Sequence, residues 1–178
     1  MVGTVKTDRE DAPVSGSATK AFIALFVLTA VIVATTSIHL GRAHANANVA
    51  RGCRVTASSS YETGVPSNAV DGDATTQWNA GHHPPAWIEL DLGAAYAVDR
   101  VTLIVEQTPA GPTVHNVYFG NESRAFTLVQ VLSGQTADGQ VLSFAPQAGS
   151  GVRYVKVETT SSPSWVAWNE NEVWGTSR

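Results

Sequence analysis

Beyond residue 48 the apolar residues of this chain recur at every second position. Val101, Leu103 and Val105 alternate with Thr102 and Ile104, and Val155 and Val157 with Tyr154 and Lys156. A period of two sends neighbouring side chains to opposite faces of an extended strand. Such runs fall at 54–58, 87–91, 98–106, 113–119, 126–132, 140–144, 151–159 and 172–174, with Gly, Pro, Asn and Asp between them. Short half-buried runs joined by turn residues predict an all-β antiparallel sandwich. No amphipathic helical stretch interrupts them.

The N-terminal part reads differently. Residues 1–20 are polar, mix both charge signs and show no period, as in a disordered leader. Ala21 to Ile38 carries no charge and has no polar face. As a helix it is long enough to cross a hydrocarbon core of ~30 Å. Residues 21–40 are therefore expected to form a membrane anchor or signal-peptide helix. A linker at 41–47 contains Ala43-His44-Ala45 and Ala45-Asn46-Ala47, both of small-x-small form. The length of the leader and of the apolar run favours a retained single-pass anchor over cleavage and secretion. Either way the domain at 48–178 is expected outside the cytoplasm, touching the membrane through the N-terminal helix only.

Charge narrows the partners. Lys6, Arg9, Lys20 and Arg42 precede the domain, so it is more acidic than the whole chain, whose formal net charge is −4. A domain of that balance lacks the cationic footprint that neutralises phosphates, which excludes nucleic acid. The single cysteine, Cys53, has no partner for an internal disulfide. It is expected to be a partly buried apolar residue at a strand start.

Asp71-Gly72-Asp73-Ala74-Thr75-Thr76-Gln77-Trp78 is the densest group of oxygen-bearing side chains. It imitates the opening of an EF-hand, but Thr76 and His82 stand where that loop needs glycine and glutamate. A metal-free Asx turn, with Asp71 and Asp73 capping backbone amides, is one reading of it. Glu89 and Asp91 resemble a glycosidase pair only superficially, because their i, i+2 spacing puts both on one strand face. A solvated or cap-forming face accounts for them better. No G-x-S-x-G, H-E-x-x-H or P-loop occurs, so no enzyme is expected.

Several segments resemble, in order, the discoidin domain, the coagulation-factor 5/8 type C domain that overlaps the family 32 carbohydrate-binding modules. They are Ala57-Ser58-Ser59-Ser60-Tyr61, Ala69-Val70-Asp71-Gly72-Asp73, Thr76-x-Trp78, Trp87-Ile88-x-Leu90-Asp91-Leu92-Gly93, Arg153-Tyr154-Val155-Lys156-Val157 and Ser164-Trp165-Val166-Ala167-Trp168, followed by Glu170-x-Glu172-Val173-x-Gly175. The resemblance implies an eight-stranded antiparallel jelly-roll sandwich of the galactose-binding-like type. Its termini would lie together at one end and its binding loops elsewhere. It also implies a structural calcium at Asp71, Asp73, Thr76 and Glu170, with carbonyls of Asn68, Asp73 and Thr76 turned inward. Two departures stand out: Cys53 lacks the family's disulfide partner, and Asn171 occupies an apolar position of the closing strand, which that substitution is expected to loosen.

The resulting expectation is a noncatalytic module recognising a glycan or cell-surface polysaccharide. The alternative is an adhesion or scaffolding domain for a protein or lipid head group. A sugar site needs an aromatic face and a few polar groups. Trp165 is the expected aromatic, following the exposed loop Ser161-Ser162-Pro163-Ser164, with Tyr61, His82, His83 and His115 as further contacts. Trp78, Trp87 and Trp174 are expected in the core.

Overall fold

In a computed structural model of the chain, residues 46–147 and 149–177 are described. The leader, the helix at 21–40 and residues 41–45 of the linker lie outside them. Among the described residues no helix is long and apolar enough to cross a membrane.

The strands are β1 (Ala47–Asn48), β2 (Arg54–Ala57), β3 (Trp78–Asn79), β4 (Ala86–Glu106), β5 (Gly111–Gly120), β6 (Phe126–Thr136), β7 (Val141–Phe144), β8 (Ser150–Ser161) and β9 (Ala167–Ser177), with one 3-10 turn at Pro66–Val70. All strand pairs are antiparallel. The expected sandwich is present, but its strand boundaries differ from the sequence reading. The runs at 87–91 and 98–106 belong to one strand of 21 residues. Its first half pairs with β2 and β8, its second with β7 and β9, and the register shifts between Asp91 and Tyr96. The corner lies at Gly93, which holds φ +81° and whose N–H donates to Asp91 Oδ1 at 3.0 Å. There the ladder lapses over 92–95 and resumes at Tyr96. Joining these two runs while adding the two-residue strands β1 and β3 gives nine strands where eight were expected.

Ile88 and Leu90 from the first half of β4 share a core with Val101, Leu103 and Val105 from the second, with Val117, Val155, Val157, Trp78 and Trp168. The closing strand runs over 167–177, much longer than 172–174. Asn171 is buried opposite Leu103, and neither side-chain polar atom has a partner. The ladder continues through it to Val173 opposite Val101, so the departure shows in the polarity of the core and does not break the register. β1 pairs with the far end of β9, Ala47 opposite Gly175, so the two ends of the domain adjoin.

Trp78 is buried as expected, whereas Trp87 and Trp174 are only half-buried. Each is covered by a cation, Lys156 Nζ at 4.9 Å from the Trp87 ring and Arg100 at 5.0 Å from Trp174. Long basic side chains lay their stems on such rings and keep the charge in water.

Candidate functional site

The carboxylate turn closes on itself. Asp71 Oδ1 accepts the Asp73 N–H at 2.8 Å, and Asp73 Oδ1 accepts the Thr75 N–H at 2.9 Å and its hydroxyl at 2.6 Å. These are the backbone caps of an Asx turn. Gly72 supplies the bend at φ +84°, and a Cβ there would lie 2.8 Å from Arg51 Nε. The Asn68 side-chain amide is a strut, donating to Thr63 O and Gln77 O at 3.0 Å each, and the backbone carbonyl of Asn68 faces Thr76.

Thr76 Oγ1 lies 2.8 Å from Asp71 Oδ2, 3.0 Å from Asp73 O and 3.4 Å from Asn68 O. One hydroxyl proton serves only one of those three acceptors at a time, so the cluster is rich in oxygen and short of donors. From β9, Glu170 reaches the same turn, buried to 2 % exposure, and both its carboxyl oxygens accept the Gly72 N–H at 3.3 Å. Burial, opposed by the Gly72 N–H and Arg51 and reinforced by Asp71 and Glu172, pushes its carboxyl up to about 7. Among the described residues no group of three or more His, Cys, Asp or Glu side chains is gathered as a metal site. A cation held here therefore depends on the carbonyl and hydroxyl oxygens.

Four of the five expected ligand residues meet in a different place. Tyr61 and Trp165 stack edge to face with centroids 5.3 Å apart, 45 % and 40 % exposed. The backbone sets this pairing. Tyr61 N–H donates to Asn79 O, Ala80 N–H to Val166 O and Val166 N–H to His82 O, which ties three segments into one end of the sandwich. The His82 ring is used locally: Nε2 lies 3.0 Å from Ser59 Oγ, and Nδ1 donates to His83 O at 2.6 Å. His82 is thus a brace of the loop, and His83 is the one that faces the open side.

Beside Trp165 lies a shallow groove of about 510 Å³, walled by Asn79, His83, Glu106, Thr108, Ser164 and two prolines, Pro109 and Pro163. Its far wall is held by the buried Gln107. The Gln107 amide donates to Pro109 O, Gly111 O and Thr136 O, while its oxygen accepts from the Thr136 hydroxyl at 2.8 Å. Gly111 lets the two walls approach, because a Cβ there would lie 2.9 Å from Pro163 Cγ. Burial and the neighbouring Asp138 raise the Glu106 carboxyl above its ordinary range. Asn79, Glu106, Thr108 and Ser164 are absent from the sequence reading of the site. The one signal for Glu106 was its place at the end of the predicted strand at 98–106.

His115 does not belong there. It is 3 % exposed on the inward face of β5 with Thr113, Val117 and Phe119. Its Nδ1 lies 2.9 Å from Thr159 Oγ1, and its ring stands against Trp168 at 4.8 Å. Burial pushes the imidazole down to about 4. Period two fixes this outcome, since a residue two positions from Val117 shares its face.

Of the two strand carboxylates, Asp91 forms a cap as expected and Glu89 departs from expectation. Glu89 is buried beneath Arg124, with which it pairs, and that guanidinium also lies 4.9 Å from the Tyr154 ring. Asp91 pairs with Arg153, the first cause of its lowered pKa, and caps Gly93. Glu89 is thus neither solvated nor a cap, and both carboxylates are committed to structure. Cys53 is half-buried just before β2, as expected, and burial and Asp91 push its thiol up to about 12.

An antiparallel sandwich that closes one carboxylate turn on itself and leaves an aromatic groove open defines a β-sandwich binding module. The F5/8 type C domain family matches residues 54–176, and the chain belongs to that family. Among solved structures, chitosan-binding module 1 from the chitosanase/glucanase of Paenibacillus sp. IK-5 is 30% identical. The match covers 72% of this chain and 99% of that one, with a TM-score of 0.62. The lectin domain of lectinolysin, complexed with Lewis B antigen, is 26% identical over 74% of this chain and 98% of that one, TM-score 0.58. The family 32 module from C. perfringens NanJ, complexed with galactose, shares 16% identity over 72% and 97%, TM-score 0.63, a likeness of fold alone. No curated protein matches the chain significantly.

Proposed function

We propose that this domain is a noncatalytic carbohydrate-binding module that takes its glycan in the groove beside Trp165. The observation that carries this reading is a large, exposed indole, braced edge-on by Tyr61, with Asn79, His83, Glu106 and Thr108 around the space next to it. A pyranose presents an apolar C–H face to such a ring and hydroxyls to the polar rim. The similarity to chitosan-binding and lectin modules at 26% to 30% identity supports the same class of ligand. A protein or lipid head group is the weaker alternative, since three of the other exposed apolar residues, Leu128, Val131 and Val141, lie on strands away from the groove.

Calcium belongs to this proposal as a structural ion. Asp71, Asp73, Thr76, Glu170 and the carbonyls of Asn68 and Asp73 offer hard oxygens with too few protons among them, the donor set calcium takes. The ion would supply positive charge where burial and two nearby carboxylates now hold Glu170 up. Display outside the cytoplasm, on a retained single-pass anchor, completes the reading and rests on the uncharged run at 21–38.

The test is a glycan screen of the full chain beside its Trp165→Ala variant. Removing an exposed aromatic anchor is expected to lower affinity by about 30-fold, roughly 2 kcal/mol. Tm is expected to fall by a few degrees, because the ring is 40 % exposed and its covered part packs on Tyr61, so affinity is compared well below either Tm. Binding that survives the substitution overturns the placement of the site.

A further inference from the structure

The domain leaves one long sheet edge open. β6 pairs with β5 on one side and, among the described residues, with no strand on the other. The other strands with a single neighbour are short: β1 and β3 have 2 residues each, β2 and β7 have 4. β6 has 11. A short edge offers little for another strand to join, and a long one is normally blunted by lysine, proline or an inward-pointing charge. β6 carries none of these. From Ala125 to Val152 the only charged residue is Asp138, beyond the end of the strand.

Two observations say which backbone groups are open. Gln130 Nε2 donates to Val131 O at 3.1 Å, so that carbonyl is turned outward and met by its neighbour's side chain. Pro112, which has no N–H to give to a ladder, stands opposite Gln135. Alternate residues of a strand turn their backbone polar groups the same way. Val131, Ser133 and Gln135 therefore present theirs at the edge. The register with β5 shifts between Val117 and Tyr118, where Val129 is the extra residue. That bulge brings two exposed apolar residues to one face, Leu128 opposite Tyr118 and Val131 opposite Asn116. On the inner side Leu132 and Leu142 are only half-buried, beside a cleft of about 150 Å³ between β6 and β7.

We propose that β6 is a dimerisation strand, pairing antiparallel with β6 of a second copy of this chain about a two-fold axis near Val131–Ser133. Charge selects the occupant. The domain is acidic, so a second copy meets repulsion over much of its surface, whereas this strip is neutral and sets no charge against its own image. A two-fold contact is self-complementary, each copy supplying the N–H groups that the other's carbonyls accept. It closes both open edges at once, so assembly stops at two. Antiparallel pairing also turns the copies end for end. Thr136, at the end of β6, meets Gln107 behind the groove, so the two grooves lie toward opposite ends of the joined sheet.

The test is sedimentation of the full chain in a density-matched detergent over a concentration series. The parent is expected to show a monomer–dimer equilibrium with a Kd on the order of 10 μM, the weak end of protein contacts. Val131→Lys and Val131→Glu are each expected to weaken it at least about fivefold, because each long side chain meets the partner's like charge directly or on the diagonal. Mixing the two variants is expected to return the parent's Kd, which a damaged fold would not do. Ser133→Pro removes an outward N–H without touching the ladder to β5, and is expected to leave a monomer. A parent that stays monomeric throughout, or that grows past the dimer, overturns the proposal. So does a dimer indifferent to Val131→Lys and Ser133→Pro, which would place the contact on the apolar run at 21–38 or on another face. Val131 variants that dissociate but do not pair with each other overturn the two-fold arrangement.

Discussion

The carboxylate turn at Asp71–Thr76 and the groove beside Trp165 hold similar polar chemistry and use it in opposite ways. In the turn, carboxylates cap amides within two residues, and Glu170 is buried against Gly72. In the groove, the Glu106 carboxylate has no ion-pair partner and the indole beside it is exposed. Polar groups that satisfy one another stabilise a fold, and polar groups left open against an apolar face wait for a ligand. Density of oxygen in a sequence is therefore a poor guide to where binding occurs.

The comparison is tested most strongly through the core that lies between the two regions. His115 titrates near 4 in the folded protein, against 6.5 for an ordinary imidazole. A depressed folded value means that its contribution to stability is present in full above pH 6.5 and disappears as pH falls toward 4. The His115 part of that change is a loss of up to about 3 kcal/mol, from 1.36 kcal/mol per pH unit, while Glu170, raised to about 7, gains stability as it protonates over the same range. Denaturant midpoints from pH 7 to 4 of the parent chain and of His115→Phe isolate the imidazole: the difference between the two profiles should vary with pH on that scale, and a constant difference would show that the imidazole is not titrating there.

Chelation separates the two regions. If the turn is a calcium staple, saturating calcium at about a hundredfold its Kd adds roughly 2.7 kcal/mol, on the order of 10 °C in Tm. The chelator should remove that increment in the parent chain and do nothing in Asp71→Ala. Glycan affinity measured well below either Tm should not change. A melting curve indifferent to chelator would leave the turn as a capped loop and nothing more. Smallest is the brace: His82→Ala removes the contacts to Ser59 Oγ and His83 O, which are worth about 1 kcal/mol. Because it frees the loop that carries His83, affinity should fall a few-fold and Tm by a few degrees. An unchanged affinity would show that the loop is set by its backbone bonds to Val166 alone.

The sandwich was legible because its signal is local, a period of two over each strand. The bend at Gly93 was not, since each half of β4 reads as a strand of its own and nothing local says that pairing resumes beyond the corner. Tyr61 and Trp165 were found because exposed aromatics in loops carry their own signal. Asn79, Glu106 and Ser164 were missed because they are ordinary residues made significant only by pairing β3 with β9 and by the Gln107 contacts. His115 shows the converse: read as a ligand contact, it is core by the parity of its strand.

The length of β9 has a mechanical consequence. Its first residue, Ala167, follows the groove's Trp165, and Gly175 near its other end pairs with Ala47. Eight residues of extended chain span roughly 26 Å. The strand therefore acts as a strut that sets the mouth of the groove at that distance from the point where the chain enters the domain.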